Sequence, residues 1–321
     1  MNDVVTINSI EDQARKEAWL AERRTCITGT DVACILGLSK FGGQMSVWLD
    51  KKGTLERQDN AAMMAGRIFE RPILQAYSEI NQIPIAFADS WTLHKVPGFE
   101  LLGASLDARW TSGDLRPVDA KNIRQRNADY GEDGSDVIPI YYQTQLAIQM
   151  MAVETPFADL AVCFGGQEFS RFTVERDFDI ESVIKDKVES WWTKYIIGNE
   201  MPEADASDSC SDYIREKFRR AEVGLIKEPT TELLEWVNVR KEAAEAEKEA
   251  EKVKTEAENK IKLFLGDAES VPGVLTWKNN KDSVKTDWES VAKEFREMAI
   301  YNDAVRTYTE TKPGARVLRI R

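Results

Sequence analysis

Apolar positions along residues 8–198 switch between two periods, one near 3.6 and one of 2, and the switches mark out elements. Residues 8–22 read as a helix with Ser9 as N-cap and Asp12 three residues on, followed by a second that opens at Ile27-Thr28-Gly29-Thr30-Asp31. SVWLDKKG gives a short helix ending at Gly53, and residues 59–81 a longer one with Pro72 inside it, where a kink is expected. Strand-like runs follow at 83–88 and 91–96, then two more within 102–121, joined through Gly113, Asp114 and Pro117. Residues 127–137 are polar and read as a loop. A helix starts at Pro139, and two strands flank the hairpin signal Gly165-Gly166-Gln167. A helix over 179–197 closes at Gly198. Helices and strands alternating in this way predict an α/β core with a central mixed sheet flanked by helices.

The pattern then changes. Residues 200–228 are polar and acidic and mark a boundary, which divides the chain into 1–205 and 206–321. Residues 231–265 form a 35-residue helix with a thin stripe at Val239, Ala243, Ala246, Ala250, Val253, Ala257, Ile261 and Phe264. So narrow a stripe suits a solvent-flanked arm or a helical hairpin. A strand (GVLTWKNN), a helix capped by Thr286 and the run ARVLRIR complete this extension. Its Lys278, Lys281, Lys285, Arg316, Arg319 and Arg321 are basic in an acidic protein.

Composition narrows the classes. At 321 residues, with 42% hydrophobic and 31% charged, the chain is ordinary for a globular protein of one large domain or two. No apolar run approaches the ~20 residues of a membrane span, and no signal-peptide pattern opens the chain, so a cytoplasmic protein is expected. Cys26, Cys34, Cys163 and Cys210 form no CxxC pair, which argues against a zinc or iron–sulfur site. One histidine, His94, excludes sites built on several imidazoles. There is no P-loop motif. The net charge of −12 argues against a protein coated in nucleic-acid-binding surface, though not against a local basic groove.

The chemistry concentrates between Leu102 and Lys121. Alternation along a strand puts Asp119 and Lys121 on one face with Ala120 turned away, and Asp107 on the neighbouring strand reaches the same face. Two carboxylates beside an ammonium suit a divalent cation such as Mg²⁺, which takes a few carboxylate oxygens together with water and substrate phosphate. Glu70 lies four residues after Gly66 on one helix face. Arg23 and Arg24 lead into Thr28 and Thr30 at a helix start, a combination that suits an oxyanion; Thr30 as a plain N-cap is the alternative. Tyr141, Tyr142, Gln143 and Gln145 at the start of the 139–153 helix suit a sugar–phosphate backbone, or simply an amphipathic helix.

Taken in order, these residues resemble the lambda-exonuclease and YqaJ-type viral recombinase family of restriction-endonuclease-like nucleases. The matching motifs are W-x3-R-x4-T-x-[ST]-[DE] at Trp19, Arg23, Thr28, Thr30 and Asp31; G-x3-E at Gly66 and Glu70; D-x11-D-x-K at Asp107, Asp119 and Lys121; and Y-Q-x-Q at Tyr142, Gln143 and Gln145. One departure is Asp119, where the family commonly has Glu. The resemblance covers residues 17–200 and implies a restriction-endonuclease-like core carrying a helical C-terminal extension. It further implies a metal-dependent 5′-to-3′ double-strand DNA exonuclease of phage-type recombination. Two Mg²⁺ ions (Mn²⁺ substituting) would be held by Asp107, Asp119 and the Ala120 carbonyl, with Glu70 in support. Lys121 would orient or deprotonate the attacking water. Arg23, Thr28 and Thr30 would hold the 5′-phosphate, and Gln143 and Gln145 would lie along the DNA or support the metal site. Implied partners are double-stranded DNA ends, a single-strand annealing protein and further copies of the chain, most often in a trimeric ring, with no membrane. A non-catalytic DNA-end-binding scaffold and a structure-specific endonuclease of the same superfamily are the competing functions.

Overall fold

The computed structural model describes residues 10–54, 60–89, 91–279, 287–296 and 299–309. Ser9, Thr286, Lys281, Lys285, Arg316, Arg319 and Arg321 fall outside these residues. Two compact units divide the chain, Met1–Lys217 and Phe218–Arg321.

The first unit is built on a five-stranded mixed sheet of order β2-β5-β6-β7-β8. Its strands are β2 (Ile85–Phe87), β5 (Ala108–Trp110), β6 (Pro117–Ile123), β7 (Phe157–Phe164) and β8 (Glu168–Glu175). β6 and β7 run parallel, Val118 opposite Asp159 through Ile123 opposite Phe164, and the other neighbours are antiparallel. Parallel neighbours need a crossover, and α5 (Ile140–Val153) supplies it. β7 is buried from Ala158 to Phe164, which fits its nearly unbroken apolar run.

Each face of this sheet takes one helix. Ile73, Leu74 and Tyr77 of α4 (Ala61–Asn81) pack on Ala108, Val118, Ala161 and Cys163. On the other face, Tyr142, Leu146 and Met150 of α5 pack on Leu160, Val162, Phe164 and Phe172. Asn60 caps α4 by accepting the Met63 N–H at 2.9 Å. α4 runs unbroken past Pro72, without the interruption the proline suggests. Asp159 of β7 is fully buried, a position a carboxylate holds only with partners. It receives the Tyr77 hydroxyl, Thr173 Oγ1 at 2.8 Å and Arg116 at 3.2 Å, and it pairs with Arg171 at 3.0 Å, tying α4 to the sheet.

The chain departs from a single central sheet in one respect. β4 (Phe99–Ala104) belongs to a separate three-stranded sheet, with β1 (Ile27–Thr28) parallel on one side and β3 (His94–Val96) antiparallel on the other. The segment 105–107 carries the backbone from that sheet to β5 of the larger one. A further apolar cluster joins α2 (Gly29–Ile35), α5 and α6 (Phe178–Trp191) over the small sheet, through Val32, Leu102, Ile148, Met151, Ile184 and Val188. α6 passes into a π-helical turn at Trp192–Ile197.

α7 (Asp208–Lys217) lies in the stretch expected to mark the boundary. Its Cys210 packs with Met45 and Leu49 of α3 (Gln44–Lys51), so this helix belongs with the first unit. In the second unit α8 spans Thr231–Leu265, capped by Thr230, whose hydroxyl accepts the Leu233 N–H at 3.1 Å. Its stripe is exposed at Val239, Val253, Ile261 and Phe264. A short hairpin of β9 (Ser270–Val271) and β10 (Leu275–Thr276), then α9 (Trp288–Glu294) and α10 (Ala299–Tyr308), follow. Among the described residues no helix is long and apolar enough to cross a membrane.

Candidate active site

Strand alternation sets the site. Val118 and Ala120 of β6 turn toward α4, so Asp119 and Lys121 turn toward α5. Asp107 directly precedes β5, and the antiparallel register of Ala108 with Val118 brings it level with Asp119. Asp107 Oδ2 accepts the Ala120 N–H at 2.9 Å. Burial, then the Asp119 charge, with Glu70 adding to it, pushes the Asp107 carboxyl up to about 8 against the pull of Lys121. Glu70, on α4, is also raised, by burial and by Asp119. The three carboxylates thus stand within electrostatic reach of one another, although among the described residues no group of three His, Cys, Asp or Glu side chains forms a ready-made metal cage.

Asp119 is 1% exposed, and its partners come from α5 and from its own strand. Its Oδ1 accepts Gln145 Nε2 at 2.7 Å and Gln149 Nε2 at 2.8 Å, and its Oδ2 pairs with the Lys121 ammonium. Asp119 and then Asp107 raise the pKa of Lys121 above its ordinary value, outweighing burial. Lys121 Nζ also lies 5.3 Å from the Tyr142 ring centroid. Two hard carboxylates that repel each other, with one ammonium paired to Asp119, are a donor set that fits a cation such as Mg²⁺.

A second cluster adjoins the first. Arg23, the last residue of α1 (Ile10–Arg23), stacks over Trp19 at 4.6 Å and donates to Thr28 Oγ1 at 3.3 Å. Thr28 Oγ1 is 3.4 Å from Thr30 Oγ1. α2 approaches α5 so closely that a Cβ on Gly29 would lie 2.8 Å from Gln145 Cα. A chain of contacts also links the clusters. Gln149 Nε2 reaches the Ser105 carbonyl at 3.4 Å, and Ser105 Oγ accepts the Trp19 indole N–H at 3.1 Å, beneath Arg23.

The residues anticipated from sequence therefore divide. Glu70, Asp107, Asp119, Ala120 and Lys121 come together, and so do Arg23, Thr28 and Thr30. Gln145 reaches the carboxylates, but Gln143 donates instead to the Ile138 carbonyl at 3.1 Å, closing the loop ahead of α5. His94 sits half-buried on β3, its pKa lowered by burial and by Arg109. Gln149 was not singled out from sequence. Its spacing of four from Gln145, on the same helix face, is the signal by which it could have been found.

The mixed α/β core thus brings a pair of aspartates and a lysine to one sheet face. Residues 18–155, which contain every site residue above, match the model of the YqaJ-like viral recombinase domain. A relative, the protein YqaJ of Bacillus subtilis (strain 168), is 27% identical over 264 residues, covering 79% of each chain. Among solved structures the chain is similar to an alkaline exonuclease, LHK-Exo, from Laribacter hongkongensis, at 17% identity and a TM-score of 0.44 over 63% of this chain and 97% of that one. It is also similar to a phage-related exonuclease from Haemophilus somnus 129PT, at 11% identity and a TM-score of 0.41 over 55% and 96%.

Proposed function

We propose that this chain is a Mg²⁺-dependent 5′-to-3′ exonuclease acting on the ends of double-stranded DNA. The observation that carries this reading is the grouping of Asp107, Asp119 and Lys121 on one sheet face, with Glu70 close enough to load Asp107 electrostatically. The YqaJ-like domain over the same residues supports it.

Asp107, Asp119 and the Ala120 carbonyl would hold two Mg²⁺ ions, with Glu70 in support and Mn²⁺ able to substitute. A bound divalent ion at such a site lowers the pKa of water and balances charge on a phosphate. The chain's own residues then divide the remaining work. Lys121, an ammonium paired with Asp119, orients the attacking water and balances charge on the scissile phosphate. Gln145 and Gln149 fix Asp119 through its Oδ1, so that the carboxylate does not rotate during turnover. Arg23 and Thr30 take the terminal 5′-phosphate as a charge-assisted pocket, which makes the enzyme end-directed. The biological setting consistent with the domain is phage-type recombination, in which a single-strand annealing protein coats the strand left behind. A homo-oligomer, most simply a trimeric ring, would keep the enzyme on its DNA between cuts.

The test is release of nucleotides from linear duplex in Mg²⁺ and its absence in EDTA, with closed circular duplex as the control. Titration calorimetry of Mg²⁺ or Mn²⁺ into wild type and Asp107→Ala should show binding lost in the variant. An active wild type whose metal affinity survives Asp107→Ala would put the metal elsewhere. Sedimentation measures the assembly: a mass of one 36.4 kDa chain at micromolar protein, with processive digestion intact, would dispose of the ring.

A further inference from the structure

Among the described residues of the first unit, Lys51, at the end of α3, is a fully buried cation whose role the reaction leaves open. Its side chain is fully inaccessible to solvent, and its partner Asp31 is 5% exposed. Lys51 Nζ donates to Asp31 Oδ2 at 2.7 Å and to the Arg23 carbonyl at 3.1 Å. Asp31 Oδ2 in turn accepts the Thr28 N–H at 2.9 Å and the Thr28 hydroxyl at 2.8 Å. Thr28 Oγ1 then receives Arg23 Nη2 at 3.3 Å. One ammonium therefore grips the segment 23–28 at both ends, through the Arg23 backbone and through the carboxylate that anchors Thr28.

Two consequences follow from donor and acceptor counting. The Thr28 hydroxyl has one proton, and it is committed to Asp31. Its oxygen faces Arg23 as an acceptor, so Thr28 orients the guanidinium and has no proton to give a phosphate. Asp31 is also a buried negative charge within reach of two cations, and both Lys51 and Arg23 hold its carboxyl below the usual range against the cost of burial. With Lys51 present, the charge of Asp31 is matched inside the protein. Without it, the cation left acting on Asp31 is Arg23, and a lone buried carboxylate is unfavourable enough to draw it in.

We infer that Lys51 is a positioning residue for substrate-end selection: by neutralising Asp31 it leaves the Arg23 guanidinium facing outward for the 5′-phosphate of a DNA end. This rests on the exonuclease reading above, and specifically on Arg23 as the phosphate ligand. It assigns Lys51 no contact with DNA and no part in bond cleavage.

The experiment compares kcat and KM on linear duplexes ending in 5′-phosphate and in 5′-hydroxyl, for wild type, Lys51→Met and the double variant Asp31→Asn/Lys51→Met. Lys51→Met should lower the phosphate-to-hydroxyl ratio of kcat/KM by roughly tenfold, the equivalent of about one charged hydrogen bond. The change should fall in KM, with turnover of hydroxyl ends close to wild type. The double variant has no buried charge to recruit Arg23 and should recover most of the ratio. If Lys51→Met melts below the assay temperature, Lys51→Gln, which keeps an N–H for Asp31 but not the charge, replaces it with the same expectation. A ratio unchanged in the single variant, or activity lost equally on both ends and not recovered in the double, would overturn the assignment. A wild type that cuts both ends equally would instead remove the phosphate pocket itself, a failure of the exonuclease reading that is visible before any variant is made.

Discussion

The contact between α2 and α5 at Gly29 makes a demanding prediction. A methyl at position 29 would sit 2.8 Å from Gln145 Cα, 3.1 Å from its carbonyl oxygen and 3.2 Å from its Cγ, two of the three being backbone atoms that cannot rotate away. Ordinary van der Waals contact begins near 3.4 Å, so Gly29→Ala must part the helices by roughly half an ångström. Overpacking of this kind costs ~1–3 kcal/mol. For a unit of this size that lowers Tm by about 2–12 °C. The displaced residue is Gln145, whose amide holds Asp119 at 2.7 Å. A catalytic group misplaced by ~1 Å can cost two orders of magnitude, so about half that shift should lower kcat on the order of tenfold. Thermal melts and Mg²⁺-dependent duplex digestion measure the two effects. Gly66→Ala is the matched control. Nothing lies within 4 Å of its added Cβ, and Ala in place of Gly within a helix should add up to ~1 kcal/mol of stability. A Gly29→Ala protein indistinguishable from wild type in both melting and turnover would refute the argument that this contact holds the site together.

Three further outcomes are expected. Lys121→Ala should abolish cleavage while duplex binding, followed by fluorescence anisotropy, persists; near-normal turnover would remove Lys121 from the chemistry. Arg23→Ala should lower the preference for 5′-phosphorylated ends by about ten- to a hundredfold, since a charged hydrogen bond to phosphate is worth ~1.5–3 kcal/mol, and a preference left intact would disqualify Arg23 as the ligand. Asp31 has a folded-state pKa below its unfolded value. Its contribution is therefore complete above the unfolded carboxylate pKa of about 4 and is lost as pH falls through the lower folded value. Asp31→Asn should flatten the acid limb of a Tm-against-pH curve in that window and leave its slope unchanged above pH ~6.

Much of the first unit was legible because its signals are periodic or local. Alternation alone brings Asp119 and Lys121 to one face, and in the second unit the long helix read over 231–265 spans Thr231–Leu265. The split into two sheets was not legible. β1 has only Ile27 and Thr28 and pairs with β4 far along the chain, and a run from Leu102 to Ala108 reads as one strand whether or not it bends at Ser105. α7 was hidden because SDSCSDYIREKF carries one buried anchor, Cys210, too few for a periodic pattern. Lys51 and Gln149 were missed for a related reason. Each is a single polar residue on an otherwise ordinary helix, and its importance lies in what another segment brings to meet it.

The parallel pairing of β6 with β7 has a kinetic consequence. β6 carries Asp119 and Lys121, α5 carries Gln145 and Gln149, and the two lie within the crossover that the β6–β7 pairing closes. Pairings of this kind close long loops and form slowly, whereas α5 and α8 gain their hydrogen bonds locally and early. During refolding from denaturant, the far-ultraviolet helical signal will return well ahead of nuclease activity, and the lag will report the closing of the β6–α5–β7 crossover.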